Sequence, residues 1–137
     1  MLLLPHHLAM LRDGSGLSDE MIAERGYRSV TKASELRALG FSARQASVPA
    51  LLVPLWDVGG RVASYSLRPD TPRLNSDGAV AKYEQPTGSR PVLDIPPRSR
   101  AAMADPGVTL YVTEGAKKAD ALAQRGAAAI NLSGVWN

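Results

Sequence analysis

The chain has 137 residues, no cysteine and two histidines, with 16 Lys and Arg against 13 Asp and Glu. The missing cysteines exclude disulfides, thiolate zinc sites and cysteine nucleophiles. Adjacent His6 and His7 are too few imidazoles for a histidine metal site or a triad, which leaves metal chemistry to carboxylates. A net charge of +3 permits nucleic-acid binding without requiring it.

The apolar start Met1-Leu2-Leu3-Leu4 is broken at once by Pro5-His6-His7. Without a basic lead it is too short for a signal peptide or a membrane span, so a cytoplasmic protein without membrane contact is expected. Residues 1–47 read as short helices. The first runs from Pro5 to Arg12 and is closed by Asp13-Gly14. Ser18 fits an N-cap, Asp19 and Glu20 suit the positive end of the helix dipole, and Gly26 stops the second helix. A third runs from about Thr31 to Leu39, with Leu36 and Leu39 on one side and Gly40 just past the end. Phe41 is placed to pack back on it.

Residues 50 to about 97 read as β-structure and turns. Leu51 to Trp56 is an apolar run of strand length, and Gly59-Gly60 offers the positive φ values of a tight hairpin turn. Arg61 to Arg68 returns as a second strand, with Val62 and Ser64 on one face and Ala63, Tyr65 and Leu67 on the other. Lys82-Tyr83-Glu84 fits a short strand. Pro91, Pro96 and Pro97 mark a connection expected to run extended over the surface. In residues 108–137, Val108 to Thr113 reads as a buried strand, Glu114-Gly115 as a turn, Ala116 to Arg125 as a helix, and Ala127 to Leu132 as a second strand. The result is a βαβ unit with parallel strands.

Glu114 is the sharpest chemical candidate, because ligands of open α/β sheets gather at the carboxyl ends of parallel strands. A carboxylate there can hold Mg²⁺ or exchange a proton with a hydroxyl, and it also fits a plain helix cap. Gly115 would let a backbone or phosphate approach closely. Lys117 and Lys118 oppose the helix dipole, which a bound anion would explain; a solvated helix face explains them too. Asp120 is placed to pair with Lys117 at i, i+3. The β region carries Arg61, Arg68, Arg73, Lys82 and Arg90, with Tyr83 beside Lys82. Spaced cations with an aromatic suit phosphate tracking and base stacking, although Asp70, Asp77, Glu84 and Asp94 also make this an ordinary charged surface. Trp56 and Trp136 read as core.

The run Leu110 to Thr113, Glu114-Gly115, the helix around Lys118 to Leu122, Gly126, the strand Ala128 to Leu132 and then Gly134 resembles the first half of a Toprim domain. Upstream, Leu51 to Val62 is similar to the hairpin of the DnaG-type primase core, and Arg68 matches the arginine closing its second strand. Ala81-Lys82-Tyr83-Glu84-Gln85-Pro86 resembles a primase stretch with Lys-Tyr and a nearby proline. The segment Gly16 to Tyr27 is similar to the small helical segment before that core. Together these motifs are also similar to a Toprim-like family of phage- and plasmid-type replication proteins.

The resemblance implies an α+β fold in three parts: a helical lead (1–47), a small β-rich subdomain (48–107) and the N-terminal half of a Toprim-like sheet (108–137). It further implies DNA-templated nucleotidyl transfer, namely primer synthesis, in a longer protein. Partners would be single-stranded DNA template and nucleotides, with a helicase or primase module in the same replication system. Glu114 would be the catalytic and Mg²⁺-associated acid. Arg68 and Lys82 match the template-contacting positions, while Arg61 and Arg73 follow from proximity and Lys117 and Lys118 from the helix start. Toprim domains hold metal with an Asp-x-Asp pair on a later strand, which this sequence does not contain, so the Mg²⁺ site is expected to be incomplete. Two other readings stay open: a non-catalytic module for single-stranded nucleic acid, and a structural, partner-binding domain in which Glu114 is only a cap.

Overall fold

The computed structural model describes residues 3–133. Trp136 and Gly134, and the start of the apolar Met1–Leu4 run, lie outside the described residues. Helix α1 (Pro5–Ala9) continues as a π-helical turn over Met10–Gly14. In α2 (Asp19–Arg25), the Ser18 hydroxyl accepts a hydrogen bond from the Met21 amide at 3.2 Å, and Gly26 ends the helix at φ +86°. Strand β1 (Arg28–Val30), not legible as a strand in the sequence, follows directly. Helix α3 (Ala33–Ala38) is shorter than its apolar spacing suggests, and Phe41 packs back on it, with its amide bonded to the Leu36 carbonyl.

Strands β2 (Ala50–Trp56) and β3 (Val62–Pro69) form the expected antiparallel hairpin, with β1 on the other side of β2. β2 is buried on both faces, which explains its unbroken apolar sequence. Successive side chains of a strand point to opposite faces. Accordingly Leu51 and Val53 join Leu11, Leu17, Met21, Ile22, Tyr27 and Ala123 in one cluster. Ala50 and Leu52 join Val30, Leu36, Phe41 and Leu67 in the other. In the turn after β2 only Gly60 takes a positive φ, +79°. The Arg100 guanidinium lies where a Gly60 side chain would be.

The second sheet has the order β4-β6-β5. Its βαβ unit is β5 (Leu110–Thr113), α4 (Ala116–Ala123) and β6 (Ala128–Leu132), and β5 and β6 are parallel as expected. Two expectations are corrected here. The strand read as buried is an exposed edge: Leu110, Tyr111 and Val112 keep 45–56% of their surface, because β5 is outermost and α4 packs chiefly over β6. β6 is the central strand, between parallel β5 and antiparallel β4 (Leu93–Asp94). The proline-marked connection does not run extended over the surface. Asp94, Ile95 and Pro96 are buried, and Pro97–Ala104 forms a 3₁₀ helix. Residues 82–84 make only a single bridge, Glu84 to Leu67. Among the described residues no helix is long and apolar enough to cross a membrane.

Candidate functional site

A buried charge cluster sets the position of the Glu114 turn. Arg25, fully buried, donates from Nη1 to Asp94 Oδ1 at 2.5 Å and to the Pro54 carbonyl at 3.2 Å. Its Nη2 reaches Asp120 Oδ1 at 2.5 Å, and Nε lies 3.0 Å from Asp120 Oδ2. The remaining carboxylate capacity is also used. Tyr27 donates to Asp120 Oδ2, the Trp56 amide to Asp94 Oδ1, and Asn131 Nδ2 to Asp94 Oδ2 at 3.1 Å. Among the described residues no buried side-chain polar atom lacks a partner. Asp120 therefore belongs to Arg25 and Tyr27, not to Lys117 as its spacing suggests, because full burial on α4 demands a cation and donors.

One guanidinium shared by two carboxylates leaves a net negative charge inside the protein. Burial opposes the Arg25 charge, but Asp120 and Asp94 outweigh it and hold the group above its ordinary pKa. Burial, with the negative charge of Asp120 beside it, pushes the Tyr27 phenol well above 10.0. Burial, aided by Asp94, also raises Asp120 against the pull of Arg25.

Asn131 carries this cluster to the turn. Its Oδ1 accepts the Gly115 amide at 2.7 Å. Gly115 occupies the N-cap position of α4 at φ +107°, a backbone conformation that favours glycine. A Cβ there would meet no atom within 4 Å, so conformation rather than close packing explains this glycine. Glu114 stands one residue before the cap, exposed, at the carboxyl end of β5.

Glu114 faces an open cleft of about 960 Å³. Residues 80–89 form one wall, Glu114 to Ala116 the other, and Asn131 to Ser133 also contribute. Gln45 holds the first wall: its Nε2 donates to the Gln85 carbonyl at 2.8 Å and its Oε1 accepts from Thr87 at 2.8 Å. Arg73 lines the cleft but is paired with Glu84, with Nη2 to Oε1 at 2.6 Å.

The structure brings some predicted cations together and separates others. Lys82 is exposed and lines the cleft. Tyr83, 41% exposed, lies between two cations from different parts of the chain. The Arg68 guanidinium sits 5.5 Å from its ring centre and donates to its hydroxyl at 3.2 Å, and Lys117 Nζ lies 5.9 Å from the ring centre. Arg61 is at the β2–β3 turn beside Asp57, 3.4 Å away, and Lys118 is exposed on α4; neither lines the cleft. Trp56 is half-buried and donates from its indole to the Arg25 carbonyl.

Gln45, Asn131 and the Thr87-Gly88-Ser89 segment were not legible as parts of a site. A single polar residue after a short helix carries no periodic signal, and Asn131 sits in an otherwise apolar strand.

Mg²⁺ takes six oxygen ligands, commonly one or two carboxylates with substrate phosphates and water. Among the described residues, three potential ligands gather only at His6, His7 and Asp70, and no such group of three includes Glu114. Glu84, the other acid lining the cleft, is committed to Arg73. The described residues therefore do not by themselves fit Mg²⁺.

A family model described as a domain of unknown function, DUF3854, matches residues 100–137. No curated protein matches the chain in sequence. Among solved structures it is similar to the primase of Aquifex aeolicus (zinc-binding and RNA polymerase domains), with a TM-score of 0.71 and 13% identity over 96% of this chain and 37% of that one. A structure of the DnaG catalytic core gives 0.66 and 20% identity over 93% and 47%. The DnaG primase catalytic domain bound to single-stranded DNA gives 0.61 and 22% over 93% and 46%. The chain spans less than half the length of each of these three, and its fold is that of part of a DnaG-type primase catalytic core.

Proposed function

We propose that this chain forms the part of a primase-like replication protein that holds single-stranded DNA, with the cleft beside Tyr83 as the binding surface. One observation carries the reading: Arg68 at the end of β3 and Lys117 at the start of α4 converge on the exposed ring of Tyr83, beside Lys82 at the cleft. Cations placed around an exposed aromatic suit phosphate contact and sequence-tolerant base stacking. The likeness to a primase catalytic domain bound to single-stranded DNA supports the same ligand.

In this reading Lys82, Arg68 and Lys117 contact phosphates and Tyr83 stacks on a base. Arg73 shapes the wall through Glu84, and Arg61 and Lys118 add only long-range attraction. Primer synthesis, with nucleotides as substrates and Mg²⁺ as cofactor, belongs to an assembly in which further carboxylates join Glu114. A Toprim-type role for Glu114, and a place in phage or plasmid replication beside a helicase, are parts of the same proposal. This chain's own contribution is to bind and orient the strand.

Fluorescence anisotropy with a labelled single strand tests it. Binding should weaken as salt rises. Lys82→Ala and Tyr83→Ala should each weaken it several-fold, while Glu114→Ala should leave it nearly unchanged. Absence of salt-dependent binding at low ionic strength, or equal losses from Lys82→Ala and Glu114→Ala, would overturn the assignment.

A further inference from the structure

We propose that His6, His7 and Asp70 form a binding site for a first-row divalent transition-metal ion, with Zn²⁺ the expected occupant, joining α1 to the end of β3. The sequence offers only two imidazoles, but folding brings a carboxylate from 63 residues away to both of them. His6 Nε2 lies 2.7 Å from Asp70 Oδ2, and His7 Nε2 lies 2.7 Å from Asp70 Oδ1. Neighbouring residues of a helix diverge by about 100°, yet these two rings have centres 4.2 Å apart and turn both Nε2 atoms to one carboxylate.

The surroundings fit a metal as well as the ligand atoms do. His7 is fully buried, and its Nδ1 lies 2.7 Å from Ser29 Oγ, which is itself held by the Leu4 amide at 2.8 Å. Metal-bound histidines commonly anchor the second ring nitrogen in this way, which fixes tautomer and orientation. The Asp70 backbone is fixed by its own amide, bonded to the Pro49 carbonyl at 3.0 Å. On the outer side, the His6 side chain is 53% exposed, so water can complete the coordination. Two imidazole nitrogens with one carboxylate suit Zn²⁺ and its first-row neighbours better than Mg²⁺ or Ca²⁺, which prefer oxygen.

Zn–ligand bonds of about 2.0–2.2 Å at tetrahedral angles place donor atoms about 3.3 Å apart, and the three ligand atoms here already lie within 4.8 Å of one another. An imidazole that ligates through Nε2 carries its proton on Nδ1, which frees the Nε2 lone pair for the ion. At His7 this Nδ1–H then donates to Ser29 Oγ. The ion replaces two hydrogen bonds with three ligand bonds across the same joint.

Calorimetry on the untagged chain with Zn²⁺ tests the site. One equivalent per chain should bind, and Zn²⁺ should raise the melting temperature. Co²⁺ should give ligand-field absorption that Zn²⁺ abolishes. His6→Ala, chosen because His6 is exposed, and Asp70→Asn should each weaken Zn²⁺ binding at least tenfold while circular dichroism stays native. Ser29→Ala should weaken it about tenfold, as loss of a supporting hydrogen bond does at other sites. Failure of the wild type to bind Zn²⁺, or equal binding by folded His6→Ala and Asp70→Asn, would overturn the proposal.

Discussion

Replacing Arg25 by Met removes the one cation of the buried cluster while keeping most of the side chain's bulk. Asp94 and Asp120, both fully buried, then face each other with only the Tyr27, Trp56 and Asn131 donors left. Breaking a buried ion pair from one side costs about 3–5 kcal/mol, chiefly through the charge left behind. For 137 residues the unfolding entropy near the midpoint is about 0.3 kcal/mol per kelvin. The variant should therefore melt about 10–17 °C below the wild type in a calorimetric scan at pH 7.

The pH dependence gives a second readout. Asp120 already lies above its ordinary pKa, and loss of Arg25 raises it further. A group whose folded pKa is raised favours the fold below its unfolded pKa and loses that contribution as pH rises through the folded value. The deficit of Arg25→Met should thus be largest at neutral pH and narrow as pH falls toward 4. A melting point within about 3 °C of the wild type, or a deficit that widens in acid, would refute the description of a charged, shared cluster.

Two further outcomes follow from the same geometry. Tyr27 has its pKa raised well above 10.0, so its share of stability is complete below that value and is lost as pH rises past it; Tyr27→Phe should be less stable by about 1–2 kcal/mol at pH 7 and should lose less stability between neutral and strongly alkaline pH, as followed by urea unfolding. Asn131→Leu leaves the Gly115 amide without its acceptor and Asp94 Oδ2 without its donor, at a cost of about 2–3 kcal/mol; hydrogen exchange at Gly115 should accelerate far more than at Leu52, and a uniform change across both would contradict a local role.

Local signals carried much of the fold. Ser18 and Gly26 mark both ends of α2 because capping depends on residues beside the helix. The hairpin of β2 and β3 was legible in an apolar run, two glycines and a return strand. So was the βαβ unit, from its turn and periodicity. Expectations that depended on depth failed: Leu110, Tyr111 and Val112 read as buried by composition, whereas sheet order decides exposure. Arg25, Asp94 and Asp120 were illegible for a related reason. Charged residues on short elements default to solvent, and their partners lie 69 and 95 residues away. As candidates, Glu114, Lys82 and Arg68 could each be singled out from the sequence. The meeting of Arg68, Tyr83 and Lys117 required the two sheets to be placed side by side.

The buried cluster also limits how the chain can be dissected. Texture divides the sequence near residues 47 and 107, but the charge pairing of the interior does not respect those seams. A piece lacking the helical lead would retain Asp94 and Asp120 and lose their counterion. A piece ending at residue 107 would keep Arg25 with half its anions and expose the apolar face that Ala123 covers. Separately expressed segments should therefore be insoluble or unfolded, and should recover native structure only when mixed, as complementing fragments of a single cooperative unit.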